Sequence, residues 1–311
     1  MSQQIPGETR QGVFFALGAF MIWGLNPIFF KWVQEVPVYE ILAHRIVWMV
    51  LILFVLMVLT RRTEQLKPFI TDKRMVGMLF ITALLVSTNW FVFTWAVTHD
   101  RVLHTSMGYF INPLVNVFLG MLFLRERLRR WQAVSVTLAF CGVAYMIIAR
   151  GTLPWISLAL PLSFGMYGLL RKKIDIDAYS GLLIEGMTLV PISLGYLIYL
   201  YSNESMMFMQ EGLKLKFLLP FCGVVSLVPL MLFTAGVRRI PYSTIGILQY
   251  TAPTLSFLSS IFLFREDLDP VQFAAFIFIW ISLLIFSVEG IIHNRKVVTE
   301  VIDPIEEVSE T

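Results

Sequence analysis

The sequence predicts an all-α integral membrane protein of ten transmembrane helices, built as two inverted five-helix repeats. Three observations carry this. The 311 residues are 57% hydrophobic and 14% charged, where a soluble domain carries about a quarter charged; too little polar surface is present to cover a water-soluble globule. The apolar runs are about 20 residues long and apolar on most faces, the length that crosses roughly 30 Å of hydrocarbon as helix. Finally, HTSMGYFINPLVNVFLGMLFLRERL at 104–128 returns, altered, as YSTIGILQYTAPTLSFLSSIFLFREDL at 242–268. Pro113 and Pro253, Arg125 and Arg265, Glu126 and Glu266, and Gln132 and Gln272 all share one offset of 140 residues, which divides the chain into two halves.

The first span, 12–31, follows Arg10 and holds Trp23, Asn26 and Pro27. It is too long and bulky for a signal peptide and has no Ala-x-Ala site. The second, 39–60, carries Glu40, His44 and Arg45, and the third, 75–98, Asn89, Trp90 and Trp95. The fourth, 102–124, holds Tyr109, Asn112, Pro113 and Asn116, and the fifth covers 131–149. The sixth, 153–171, contains Tyr167; the seventh, 180–201, contains Glu185; the eighth is 215–237. The ninth, 242–264, carries Gln249, Tyr250 and Pro253, and the tenth is 271–292. Repeat 1 is therefore 12–149 and repeat 2 is 150–292, between an N-terminus at 1–11 and a polar, Glu-rich tail at 293–311 that is expected to be disordered. Cys141 and Cys222 fall inside spans, so no disulfide framework forms, and no metal-ligand cluster is present.

Placing the N-terminus inside puts seventeen of the 24 Lys and Arg residues in cytoplasmic segments and six outside, with Arg45 inside a span. The positive-inside rule thus places both termini in the cytoplasm. Five spans per half is an odd number, so the second half enters the membrane from the opposite side. An inverted repeat of this kind suits alternating access, because each half can take the other's conformation.

The polar residues at membrane depth are the candidate site. Pro113 and Pro253 are expected to kink their helices in mid-span and to free the carbonyls of Tyr109 and Gln249. Asn112, Asn116, Gln249 and Tyr250 beside them make a midplane binding site; packing against neighbouring helices is the competing reading. Trp23, Asn26, Asn89, Trp90 and Tyr167, with Pro27 as a third kink, form a polar and aromatic set suited to organic, partly planar ligands. Glu185 is the candidate proton-coupling residue, since a desolvated carboxylate can take up a proton; a structural Glu is the alternative. His44 and Arg45 are further coupling candidates. Arg45 aligns with Glu185 under the offset, but inversion puts the two charges at depths roughly 12 Å apart in a 30 Å core. Arg45 is instead expected to meet Glu40, an outer vestibule or an anionic substrate. Glu126 and Glu266 are expected to be held by Arg neighbours or as N-caps of the next helix.

Taken together, WGLNPIFFK, ILAHRIVW, SMGYFINPLVNVFLGMLFLRERL, LPLSFGMYGLLRKK and ILQYTAPTLSFLSSIFLFREDL resemble the EamA family of the drug/metabolite transporter superfamily over nearly the whole chain. The resemblance implies two EamA-type repeats, a central cavity, and exporter-type activity at the bacterial inner membrane. One branch of the family carries a name linked to chloramphenicol sensitivity. The superfamily pattern puts Gly before the Glu that follows helices 4 and 9; Arg125 and Arg265 stand there instead, so those turns are expected to take another conformation. No catalytic residue, cofactor or metal is implied. The expected partners are a small organic substrate, membrane lipid and a proton, with a homodimer left open; no basic patch for nucleic acid is present. A nucleotide-binding P-loop is absent. A metabolite importer or facilitator and an integral-membrane lipid-modifying enzyme stay as alternatives to export.

Overall fold

The structure is a computed structural model that describes residues 6–309 apart from 67–68, 70, 125–128, 152, 175, 211, 238, 241–247 and 269. Within the helices, the side chains of Pro113 and Asn116 also lie outside the described set. The described residues are helix and turn, with no strand. The long elements are α1 (Pro6–Trp32), α2 (Val38–Leu59), α3 (Lys73–Thr98), α4 (Val102–Leu124) and α5 (Arg130–Arg150). They continue as α6 (Trp155–Lys173), α7 (Ala178–Ser202), α8 (Leu213–Val237), α9 (Thr251–Leu258) and α10 (Pro270–Ser309). Seven of these, α1, α2, α3, α5, α7, α8 and α10, contain segments long and apolar enough to cross a membrane. Their outward faces are apolar, as at Ile148, 82% exposed, and Phe217, 73% exposed, which suits lipid and not water.

Local chemistry sets several boundaries. Asp72 accepts the N–H groups of Arg74 and Met75 at 2.9 and 3.2 Å and so starts α3. Asp177 does the same for α7 through Tyr179 and Ser180. Both are N-cap acceptors for donors that a helix cannot satisfy itself. Gly151, at φ 64°, closes α5 in the left-handed conformation.

The chain forms two compact units, Met1–Asn112 with Trp155–Asp267 and Pro113–Pro154 with Leu268–Thr311. Each takes segments from both sequence halves. In the first unit, α1 packs on α8 and α9, α2 on α7 and α8, and α3 on α6 and α7. One core, with Met49, Leu53, Leu79, Leu183 and Leu227, joins α2, α3, α7 and α8. A second, with Phe30, Ile41, Val97, Leu160 and Leu219, joins α1, α2, α3, α6 and α8. In the second unit, α5 packs on α10, tied by the Ser282 hydroxyl donating to Ser135 O at 2.7 Å and by Arg129 Nε to Glu289 Oε1 at 2.9 Å. Small residues let these backbones approach, as is usual between membrane helices. A Cβ at Gly223 would stand 2.7 Å from Met49 N and from Trp48 C of α2.

Four expectations change here. Residues 293–309 continue α10 as helix instead of irregular tail; extending an existing helix needs no new nucleation. Pro253 does not leave the Gln249 carbonyl free. It stands in the first turn of α9, where a missing N–H costs nothing, and Gln249 O accepts from Ala252 N at 3.3 Å. Glu266 caps α4 and not the following helix: its carboxylate accepts from Val102 N and Leu103 N, both at 2.8 Å. The turn before it keeps a glycine-like conformation without glycine, since Arg265 sits at φ 53°. Glu126 and Arg125 lie outside the described residues. Pro27 and Pro113 both lie within continuous helix, in α1 and α4.

Candidate functional site

Glu185 lies on α7 and is 2% exposed. Its Oε1 accepts from the Thr82 hydroxyl of α3 at 2.7 Å. Its Oε2 accepts from the Tyr167 hydroxyl of α6 at 3.3 Å. Arg171 Nη1, one helical turn beyond Tyr167, stands 3.6 Å from Oε1. Three helices thus meet at one buried carboxylate. Gly181, one turn before Glu185, makes the room: a Cβ there would overlap the guanidinium of Arg171. The arrangement can hold a carboxylate as an ion or release its ion-pair partner when it is protonated, which is what a coupling site needs.

Arg45, on α2, is 4% exposed. Its guanidinium carbon lies 4.3 Å from the ring centre of Trp90 and 5.3 Å from that of Phe30. Nε and Nη1 are buried and have no hydrogen-bond partner among the described residues. Cation–π contacts are worth roughly 2 kcal/mol each when desolvated. Burying an unpaired ion costs several kcal/mol even after relaxation, a cost of the same order as the two ring contacts together.

Glu40 does not reach Arg45 as a partner. Its carboxylate accepts from Met207 N at 3.3 Å and Phe208 N at 3.0 Å, capping the short turn Met207–Gln210 between α7 and α8. His44 Nδ1 accepts from Trp48 Nε1 at 3.2 Å, and its Nε2 is 3.9 Å from Glu40 Oε1. Arg45 and Glu185 share no hydrogen bond or ion pair among the described residues.

The remaining candidates divide. Asn89 is spoken for by α6: its Nδ2 donates to Leu160 O at 2.9 Å and Ser163 Oγ at 3.1 Å. Tyr109 reaches Asn89 Oδ1 at 3.4 Å and packs 6.0 Å from Phe93. Trp23 sits in an aromatic cluster with Phe20 and Phe233 at 5.7 and 5.5 Å, apart from Tyr167. Asn26 is buried in α1. Asn112 is fully buried, and both its amide atoms lack partners among the described residues, as does the Tyr250 hydroxyl. Gln249 and Tyr250 form a partly buried turn before α9. The side chain of Asn116 lies outside the described residues.

Sequence reasoning missed Thr82, Arg171, Gly181 and Phe30. The spacing held a signal for two of them. Tyr167 and Arg171, like Gly181 and Glu185, are four residues apart and share a helix face.

The EamA-like transporter family matches residues 10–148 and, a second time, residues 153–288. The chain belongs to this family. Its relatives agree: Protein RarD of Escherichia coli (strain K12) is 43% identical over 93% of this chain and 98% of its own length. The Vibrio cholerae protein named Uncharacterized transporter is 41% identical over 91% of this chain and 94% of its own. The Pseudomonas aeruginosa protein named Chloramphenicol-sensitive protein RarD is 31% identical over 89% of this chain and 93% of its own. A solved crystal structure superposes with a TM-score of 0.56 over 90% of this chain and 96% of its own at 13% identity, a likeness of fold alone. The EamA membership and the seven apolar helices make this chain a multi-pass membrane transporter.

Proposed function

We propose that the chain is a secondary active transporter of the bacterial inner membrane that exports a small organic metabolite or drug by alternating access. In this reading ten spans form two inverted five-helix repeats, both termini are cytoplasmic, and Glu185 couples transport to protons. The observation that carries it is the exchange symmetry of the helix pairs. Swapping α1–α5 for α6–α10 turns the α1–α8 pair into α6–α3, and α2–α8 into α7–α3; α2–α7 and α5–α10 map onto themselves. The α1–α9 pair maps onto α6–α4, which is joined by the Ser157 hydroxyl donating to His104 O at 2.9 Å. Two halves that pack alike from opposite sides can exchange conformations, which is the basis of alternating access.

Glu185 is the coupling residue of this scheme because it is buried and its partners Thr82, Tyr167 and Arg171 come from two other helices. Proton uptake at Glu185 removes the charge that holds Arg171. The name of the Pseudomonas aeruginosa relative suggests chloramphenicol as the first compound to try. Purified protein in vesicles carries labelled chloramphenicol faster than protein-free vesicles if the reading holds. Equal rates for chloramphenicol and for a panel of amino acids and nucleosides would remove it, and uptake only toward the cytoplasmic face would make the protein an importer.

A further inference from the structure

We infer that Arg45 is the anchor of a binding site for a monovalent organic carboxylate, formed when its aromatic neighbours Trp90 and Phe30 part. The inference rests on the transporter reading above and names a substrate class for it. Arg45 is the only buried Lys or Arg among the residues whose side chains are described. It forms no ion pair there: Glu40 is committed to the turn Met207–Gln210 and Glu185 to Arg171. Nε and Nη1 have no exposed surface in this conformation, so an oxyanion reaches the guanidinium only when the rings of Phe30 and Trp90 move aside; the planar fork then grips it through two parallel bonds.

The charge count selects the ligand further. One free cation balances one negative charge. A dianion would leave a second charge desolvated, with no other buried cation among the described side chains to meet it. The rings select an apolar body. Beyond Trp90 and Phe30, the rings continue through Phe93, 5.7 Å from Phe30, to Tyr109, 6.0 Å from Phe93.

The two repeats explain why this charge is left open and Glu185 is not. The offset of 140 pairs Arg45 with Glu185, Cys222 with Thr82 and Lys31 with Arg171. In the second repeat the basic residue near the end of α6 turns to the carboxylate. In the first, the matching Lys31 would face another cation, and it pairs with Asp100 instead. Where Thr82 of the first repeat offers a hydroxyl to Glu185, its match in the second repeat is Cys222, which has none to offer near Arg45. The ligand supplies what Arg45 lacks.

The test uses the full-length protein in detergent with benzoate, its neutral isostere benzamide, and phenylphosphonate. Benzoate at ~100 times its half-saturating concentration raises the unfolding midpoint by ~5 °C; benzamide does not, and phenylphosphonate acts less strongly. Arg45→Met loses the benzoate response while unfolding no lower than wild type without ligand, because an unpaired buried charge has been removed. Arg45→Lys keeps the charge but loses the fork, and responds more weakly. Equal shifts with benzamide and benzoate, a stronger shift with phenylphosphonate, or a full benzoate response in Arg45→Met would each overturn the site. If Arg45→Met does not fold, the wild-type comparison of benzoate with benzamide still decides. Chloramphenicol flux without any benzoate response sinks this site and leaves the transporter reading standing; a benzoate response without flux does the reverse.

Discussion

Glu266 and Val102 are 164 residues apart in the chain, and Oε1 of the first accepts the N–H of the second at 2.8 Å. Oε2 takes Leu103 N at the same distance. One carboxylate therefore satisfies two of the free donors at the start of α4 from the link between α9 and α10. Glu266→Ala is expected to lower stability by about 1–2 kcal/mol, read as a lower unfolding midpoint in one fixed detergent.

The same residue predicts a pH effect. Burial raises Glu266 above its ordinary carboxylate value; the N–H groups of Leu103 and Val102 and the nearby Lys31 oppose the rise, and Asp100 adds to it. A raised folded value means that its contribution is complete below the unfolded value and is lost as pH rises through the folded one. Glu266→Gln should flatten that part of the stability profile. An unchanged slope in the variant would remove Glu266 as its source.

Arg265 holds φ at 53°, a conformation that costs a non-glycine residue about 1–2 kcal/mol. Arg265→Gly should recover about 1 kcal/mol of it and raise the midpoint. A fall instead would mean that the arginine side chain stabilises the turn.

Two groups of helical glycines should respond with opposite sign. Gly223→Ala places a Cβ 2.7 Å from α2 backbone atoms that cannot step aside, so it should destabilise by about 1–3 kcal/mol. Gly77→Ala and Gly195→Ala meet nothing within 4 Å and should stabilise by about 0.5–1 kcal/mol each. Unfolding midpoints of the three variants decide the matter.

How far the sequence could be read depends on which interactions repeat. The membrane class was legible because apolar runs are long and local. Glu185 was legible because a carboxylate in mid-span is conspicuous. Arg171 was not: near a basic loop it reads as an orientation signal, and only the close approach of α6 to Gly181 turns it inward. Thr82 was hidden among ordinary hydroxyls. The capping of α4 by Glu266 is a contact across most of the chain, and no local pattern announces it. The turn at Gln249 and Tyr250, just before α9, takes up the Gln249 carbonyl, and nothing in the 140-residue alignment of Pro253 with Pro113 announces it.

Glu185 is where the fold and the proposed transport meet. Reconstituted protein with an imposed pH gradient should drive labelled substrate across the membrane. Glu185→Gln keeps hydrogen-bonding atoms for Thr82 and Tyr167 but carries no charge for Arg171 to meet. The account predicts that this variant still exchanges substrate down its own gradient and no longer responds to the pH gradient. Gradient-driven flux at the wild-type rate in Glu185→Gln would contradict it.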